Sequence, residues 1–225
     1  MTYGEFSSLT ALSKLDAVYR STHIYLHEDD VCYYLGEYAQ RKGWSHSGTN
    51  NLIWNFKKPM SKRGQQGWRY KGLAIQEAAR VLNRCASPIW SKVSLVPMPT
   101  SKTESHPLYD NRLPQMLSHL APVSDVDIWN GLRQDVDLEA SSAMGTVRAS
   151  VETLIGSMSI PEEASPPSRK ILLVVDDVLT TGRHFRAAKS VIRARFPELD
   201  VRGLFLARCA FEPPDFQEIF GDPLF

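Results

Sequence analysis

The sequence predicts an α/β fold built on an open, mostly parallel sheet flanked by helices, and three observations predict it. ILLVV at 171–175 is short, rich in branched residues and shows no alternation, as expected of a parallel strand covered on both faces. After Thr180-Thr181-Gly182 the pattern becomes helical, with Phe185, Ala188, Val191 and Ile192 recurring at helical spacing. VRGLFLA at 201–207 then reads as the next strand. Strand, acidic loop, helix and strand make a βαβ unit, whose crossover is expected to be right-handed.

The rest of the chain is read in order. Residues 1–50 are mixed and aromatic-rich, and are expected to form an N-terminal extension or subdomain packed on a core of residues 51–225. In GTNNLIWNFKKP, Leu52, Ile53 and Phe56 suit one helix face. KKPMSKRGQQGWRYK at 57–71 is basic and free of acids, and Gly64 and Gly67 mark a loop within it. LAIQEAARVLNRCA at 73–86 has the composition of an amphipathic helix, with Leu73, Ala74, Ala78, Val81 and Leu82 expected on its apolar side. VSLV at 93–96 reads as a buried strand running into PMPTSK. LPQMLSHLA and the region around VRASVETLI look helical, RQDVDLEASSAMG reads as a loop, and PEEASPPSR is a connector.

Composition narrows the function classes. Lys plus Arg number 26 against 25 Asp plus Glu, so net charge argues for neither nucleic acid nor an anionic membrane. Cys32, Cys85 and Cys209 are far apart, which speaks against a disulfide framework or a cysteine zinc site. His23, His27, Asp29, Asp30 and His46 match no compact metal spacing. The N-terminus lacks a secretory pattern, and no apolar run approaches the ~20 residues of a membrane span. A soluble, cytoplasmic protein is expected.

The acids Asp176 and Asp177 admit three readings. A phospho-receiver needs on the order of a hundred further residues for its phosphoacceptor strand and lysine, more than follow Asp177. A Walker B strand should be partnered by GxxxxGK[ST], and the sequence has none. The third reading is a sugar-phosphate site beyond the carboxyl ends of the strands. There the carboxylates accept hydrogen bonds from ribose hydroxyls and can lie near magnesium. Thr180, Thr181, Gly182 and Arg183 would offer N–H groups and hydroxyls to a phosphate at a helix N-terminus.

VVDDVLTTG resembles the phosphoribosyl-pyrophosphate (PRPP) motif of type I phosphoribosyltransferases. LVPMPTSK at 95–102 is similar to the strand and pyrophosphate loop of the ComF-like branch, and LIWNFKK at 52–58 to the helix preceding it. The segment 132–151 takes the place of that branch's hood. The resemblance implies a Rossmann-like core with a small hood, Asp176 and Asp177 on ribose and magnesium, and Thr180, Thr181, Gly182 and Arg183 on the 5′-phosphate. It further implies Thr100, Ser101 and Lys102 on pyrophosphate, with Arg112 a further candidate. The paired CxxC ligands frequent in ComF-like proteins are absent. Thr180 stands where purine-salvage members carry an acid, which disfavours hypoxanthine or guanine.

The implied reaction transfers 5-phosphoribosyl to a nitrogen acceptor and releases pyrophosphate, with Mg2+ accompanying PRPP. Two alternatives remain: a non-catalytic PRPP or nucleotide sensor acting through partners, and nucleic-acid association through residues 57–71, where Trp68 and Tyr70 interleave with basic residues. A homodimer is compatible with the sequence.

Overall fold

The structure is a computed structural model and describes residues 3–120, 125–138 and 149–210. In chain order the elements are α1 (Gly4–Ser8), β1 (Ser13–Lys14), α2 (Ala17–Arg20), β2 (Cys32–Ala39), α3 (Gly48–Phe56), α4 (Arg69–Ala86), β3 (Val93–Pro97), α5 (Arg112–Ser118) and β4 (Asp127–Ile128). There follow β5 (Arg133–Gln134), α6 (Val151–Gly156), β6 (Met158–Ser159), β7 (Ile171–Leu179), α7 (Arg183–Arg195) and β8 (Asp200–Ala210). Six strands form one sheet in the order β1-β2-β8-β7-β3-β4, and β5 with β6 forms a separate two-stranded ribbon. Every pairing in the larger sheet is parallel except β1 with β2. The α/β class and the flanking helices are as expected.

Parallel strands need both faces covered, and their sequences reflect it. All of β3 is buried, and Leu172, Leu173, Val174 and Val175 of β7 lie inside with Leu204, Phe205 and Leu206 of β8. Burying one such side chain stabilises by about 1.5–3 kcal/mol, so these central strands anchor the fold.

Residues 32–39 supply a full strand to the main sheet. β2 lies parallel to β8 from Cys32↔Gly203 to Ala39↔Ala210. Gly36 lets α3 lie close upon it, because a Cβ there would stand 2.6 Å from Thr49 Oγ1. The end of β2 is then tied to the start of α3. The Asn50 side chain accepts from Ala39 N and donates to Ala39 O, both at 3.0 Å, while Ser47 caps the helix by accepting from Asn50 N at 3.0 Å.

Helix α4 begins at Arg69, earlier than the apolar pattern suggests. Its buried stripe runs through Lys71, Ala74, Ile75, Ala78, Val81 and Leu82. Leu73 falls off that stripe and is 41% exposed, which corrects the expectation that it faces the core. Among the described residues no helix is long and apolar enough to cross a membrane.

Candidate functional site

The site follows from unequal strand lengths. β3 stops pairing at Pro97↔Val175, whereas β7 continues against β8 to Leu179↔Arg208. Asp176 and Asp177 therefore lie within a strand, one step beyond the end of its shorter neighbour, rather than after the strand as the sequence suggests. The chain leaving β3 turns away there, with Met98 N still donating to Val175 O at 2.8 Å. What opens is a cavity of about 440 Å³ at the carboxyl ends of the parallel strands.

Thr100, Ser101, Lys102, Arg112, Asp176, Asp177, Thr180, Thr181 and Arg183 all line this cavity. Residues as distant in sequence as Thr100 and Arg183 are thus brought together. Gly182 is buried between them and is the residue from which α7 starts. Its φ of +87° lies in the left-handed region, and a Cβ would stand 2.7 Å from Leu26 Cδ2, so the turn requires glycine.

The 180–182 loop is fixed from behind by the N-terminal segment. His23 Nδ1–H donates to the Thr180 carbonyl, and Tyr25 N donates to the Thr181 carbonyl at 3.0 Å. Across planar trans peptides the N–H groups of Thr181 and Gly182 point the opposite way from these carbonyls. Burial lowers the pKa of His23, and nearby Arg208 lowers it further, keeping the imidazole neutral. Arg183 donates from Nη1 to Ala149 O at 2.7 Å and stacks 5.2 Å from the Tyr25 ring centre. On the opposite wall, Ser101 O accepts from Leu138 N at 2.7 Å, and Asp137 accepts from Thr103 N at 2.7 Å. These contacts hold the loop carrying Lys102. The 132–151 hood expectation falls partly on residues 139–148, outside the described residues.

An ion network that local sequence reasoning missed crosses the floor. Lys57 Nζ donates to Asp177 Oδ1 at 2.9 Å. Arg112 donates to Asp177 Oδ2 from Nε at 3.1 Å and Nη2 at 2.7 Å, and from Nη1 to Asp110 Oδ2 at 2.9 Å. Lys71 Nζ completes the chain, reaching Asp110 Oδ2 at 2.8 Å and the carbonyls of Phe56 and Lys58 at 2.9 and 3.0 Å. Arg112 is therefore integral to the site.

The electrostatics separate the two acids. Burial opposes ionisation of Asp177, but Lys57 and Arg112 outweigh it and hold the carboxyl well below its ordinary range. Asp176 is pushed up to about 7, first by burial and then by the charge of Asp177 beside it. Burial also works against charge on Arg112, yet Asp177 and Asp110 hold its pKa above the ordinary value. His184, in the first turn of α7, lines the same cavity. Its pKa is lowered to about 4 by burial, then by Lys57 and Arg183, so it is neutral near pH 7.

The basic stretch 57–71 is divided by the fold. Lys57 and Lys71 turn inward, as described, and Lys58 Nζ donates to Gly67 O at 2.8 Å. Lys62, Arg63 and Arg69 are exposed, and the Tyr70 ring lies 5.1 Å from the Arg69 guanidinium. Pro59, Met60 and Ser61 meanwhile join the cavity wall. Asp30, among the acids near the N-terminus, has structural partners: it pairs with Lys189 and accepts from His27 N at 2.7 Å. Among the described residues, no three His, Cys, Asp or Glu side chains gather into a metal-holding group.

No protein-family model matches this chain, and no curated protein matches it. Its class is the one the fold defines: an α/β protein with a six-stranded, mostly parallel sheet flanked by helices, compatible with a Rossmann-like fold. A cavity whose wall combines charged and hydroxyl side chains with apolar ones lies at the carboxyl ends of its strands.

Proposed function

We propose that this protein binds PRPP and transfers its 5-phosphoribosyl group to a nitrogen acceptor, releasing pyrophosphate. The observation that carries this reading is the convergence on one cavity of the Asp176–Asp177 pair, the Thr180–Arg183 turn and the Thr100–Lys102 loop. A molecule with a sugar between two phosphate groups matches that arrangement. The α7 N-terminus, with the N–H groups of its entry turn, takes the 5′-phosphate. Lys102 and its neighbours hold the pyrophosphate, and the acids take the ribose hydroxyls.

Displacement at the anomeric carbon develops positive charge on the sugar ring, as in glycosyl transfer. The carboxylates tolerate that charge, and the cationic wall offsets charge on the departing pyrophosphate. The protein's contribution is positioning and fixed electrostatics. A magnesium ion accompanying PRPP is compatible with the donor set, since such ions are held by one or two carboxylates together with substrate phosphates. Asp176 is the carboxylate that would hold it, because Asp177 is engaged by Lys57 and Arg112. When bound it would supply further neutralisation of the pyrophosphate.

That engagement of Asp177 favours a second reading, a PRPP sensor that binds without transfer. Incubation with PRPP and a nucleobase panel separates the two: pyrophosphate release indicates a transferase, and binding without release a sensor. For PRPP binding itself, the combined Asp176→Asn and Asp177→Asn variant should show no calorimetric PRPP signal while retaining a cooperative thermal transition. Unchanged titration of the folded variant would refute the assignment.

A further inference from the structure

Within the cavity, the two cations on Asp177 are not equivalent. Arg112 is bound in three places across two carboxylates, and its side chain is only 15% exposed. Lys57 makes a single hydrogen bond to Asp177, its side chain is 39% exposed, and it lies at the C-cap of α3 on the cavity wall. A lysine ammonium is a point charge on a flexible stem with no fork geometry to lose, so it can change partners by rotating about its own bonds. Arg112 remains to balance Asp177 when it does.

We infer that Lys57 is the specificity-determining cation of this site, exchanging Asp177 for the pyrophosphate group of the ligand. The inference rests on the PRPP reading above and deepens it. A pyrophosphate in the cavity offers Lys57 several anionic oxygens in place of one carboxylate oxygen. As Lys57 moves, Asp177 Oδ1 becomes available to accept a ribose hydroxyl. Engagement of the two halves of the ligand is therefore coupled through one side chain. A sugar phosphate without pyrophosphate cannot draw Lys57 away, and meets Asp177 with that oxygen still sharing its lone pairs and charge with the ammonium. The site would thus favour a ribose that carries both groups over ribose 5-phosphate, although both have the sugar and the 5′-phosphate.

The test is calorimetric titration of the full chain with PRPP, inorganic pyrophosphate and ribose 5-phosphate, comparing wild type with Lys57→Met. The variant should weaken pyrophosphate binding by about tenfold or more, the scale of one charge-assisted contact. It should leave ribose 5-phosphate binding unchanged or tighter. A structural role for Lys57 would move both affinities the same way, and equal loss of both overturns the inference, as does no change in either. Lys57→Arg keeps the positive charge and should retain pyrophosphate binding. If Lys57→Met does not show a cooperative thermal transition, Lys57→Gln takes its place with the same expectations. Wild-type protein that binds PRPP, with Lys57→Met either leaving both affinities unchanged or lowering both equally, overturns this inference alone. Wild-type protein that binds none of the three ligands overturns the PRPP reading with it.

Discussion

Arg112→Met tests whether the ion network is the structural floor of the site. Arg112 makes three hydrogen bonds, two to Asp177 and one to Asp110, and the two acids' side chains are 4% and 12% exposed. Methionine preserves much of the packing volume and removes the charge. Removing one partner of a buried pair costs about 3–5 kcal/mol, because the remaining charge stays buried without compensation. Here Lys57 still faces Asp177 and Lys71 still faces Asp110, which places the expected loss near the lower end, about 3 kcal/mol. At roughly 2–4 °C per kcal/mol for a chain of this size, the transition should fall by about 6–12 °C. Urea titrations at pH 7.5, compared at a common m value, measure the loss directly. Arg112→Lys should fall between the two, since it keeps the charge and loses the fork. Acid supplies an internal check. The depressed pKa of Asp177 contributes stability above the unfolded value near 3.9, and this contribution disappears as pH falls through the folded value. The gap between variant and wild type should therefore narrow in strong acid. A loss below ~1 kcal/mol at pH 7.5 would mean that the guanidinium does not hold these carboxylates, and the reasoning fails.

Two further substitutions probe the same cavity. Asp176 has its folded pKa raised to about 7, so its charged form opposes folding above that pH, and the penalty fades as pH falls toward the unfolded value near 3.9. Asp176→Asn should accordingly stabilise the protein at pH 8 by on the order of 1 kcal/mol and by little near pH 4; urea midpoints that fall at pH 8 would contradict this. Gly182→Ala forces a side chain into a left-handed conformation against Leu26 and should cost about 1–2 kcal/mol. Calorimetry with inorganic phosphate should show weaker binding to that variant, and unaltered affinity would place the phosphate elsewhere.

Local patterns revealed the centre of this fold and less of its periphery. β7, β8, α7 and most of α4 were legible because uninterrupted apolar runs and helical spacing are written in consecutive residues. The extension of β7 through both acids was not, since it depends on β8 continuing to pair beyond the point where β3 stops. β2 was missed as a strand: its aromatic residues suit one, but its partner lies far along the chain, and Gly36 weakens the local signal. The expected Asp, Thr and Lys loops reached one cavity, while Asp110 and His184 were not anticipated there, nor were the ion pairs of Lys57 with Asp177 and of Lys71 with Asp110. One signal was available. Lys71 stands in the apolar stripe of α4, where a buried cation calls for an acid, although nothing nearby in sequence identifies Asp110 as that acid.

The β2–β8 pairing also sets an order of events. The ribosome delivers residues 32–39 long before 200–210, and Glu37 and Arg208, ion-paired across these strands, are 171 residues apart. Until β8 emerges, β2 has no parallel neighbour on that side and its Tyr-rich edge is exposed to mispairing. His23 and Tyr25, which grip the 180–182 turn from behind, belong to the same early segment. Such distant closure slows folding, because its entropic cost precedes its contacts. A nascent chain halted shortly after α7 would thus carry Asp176, Asp177 and the whole 180–183 turn and still lack the neighbour that closes β2 into the sheet.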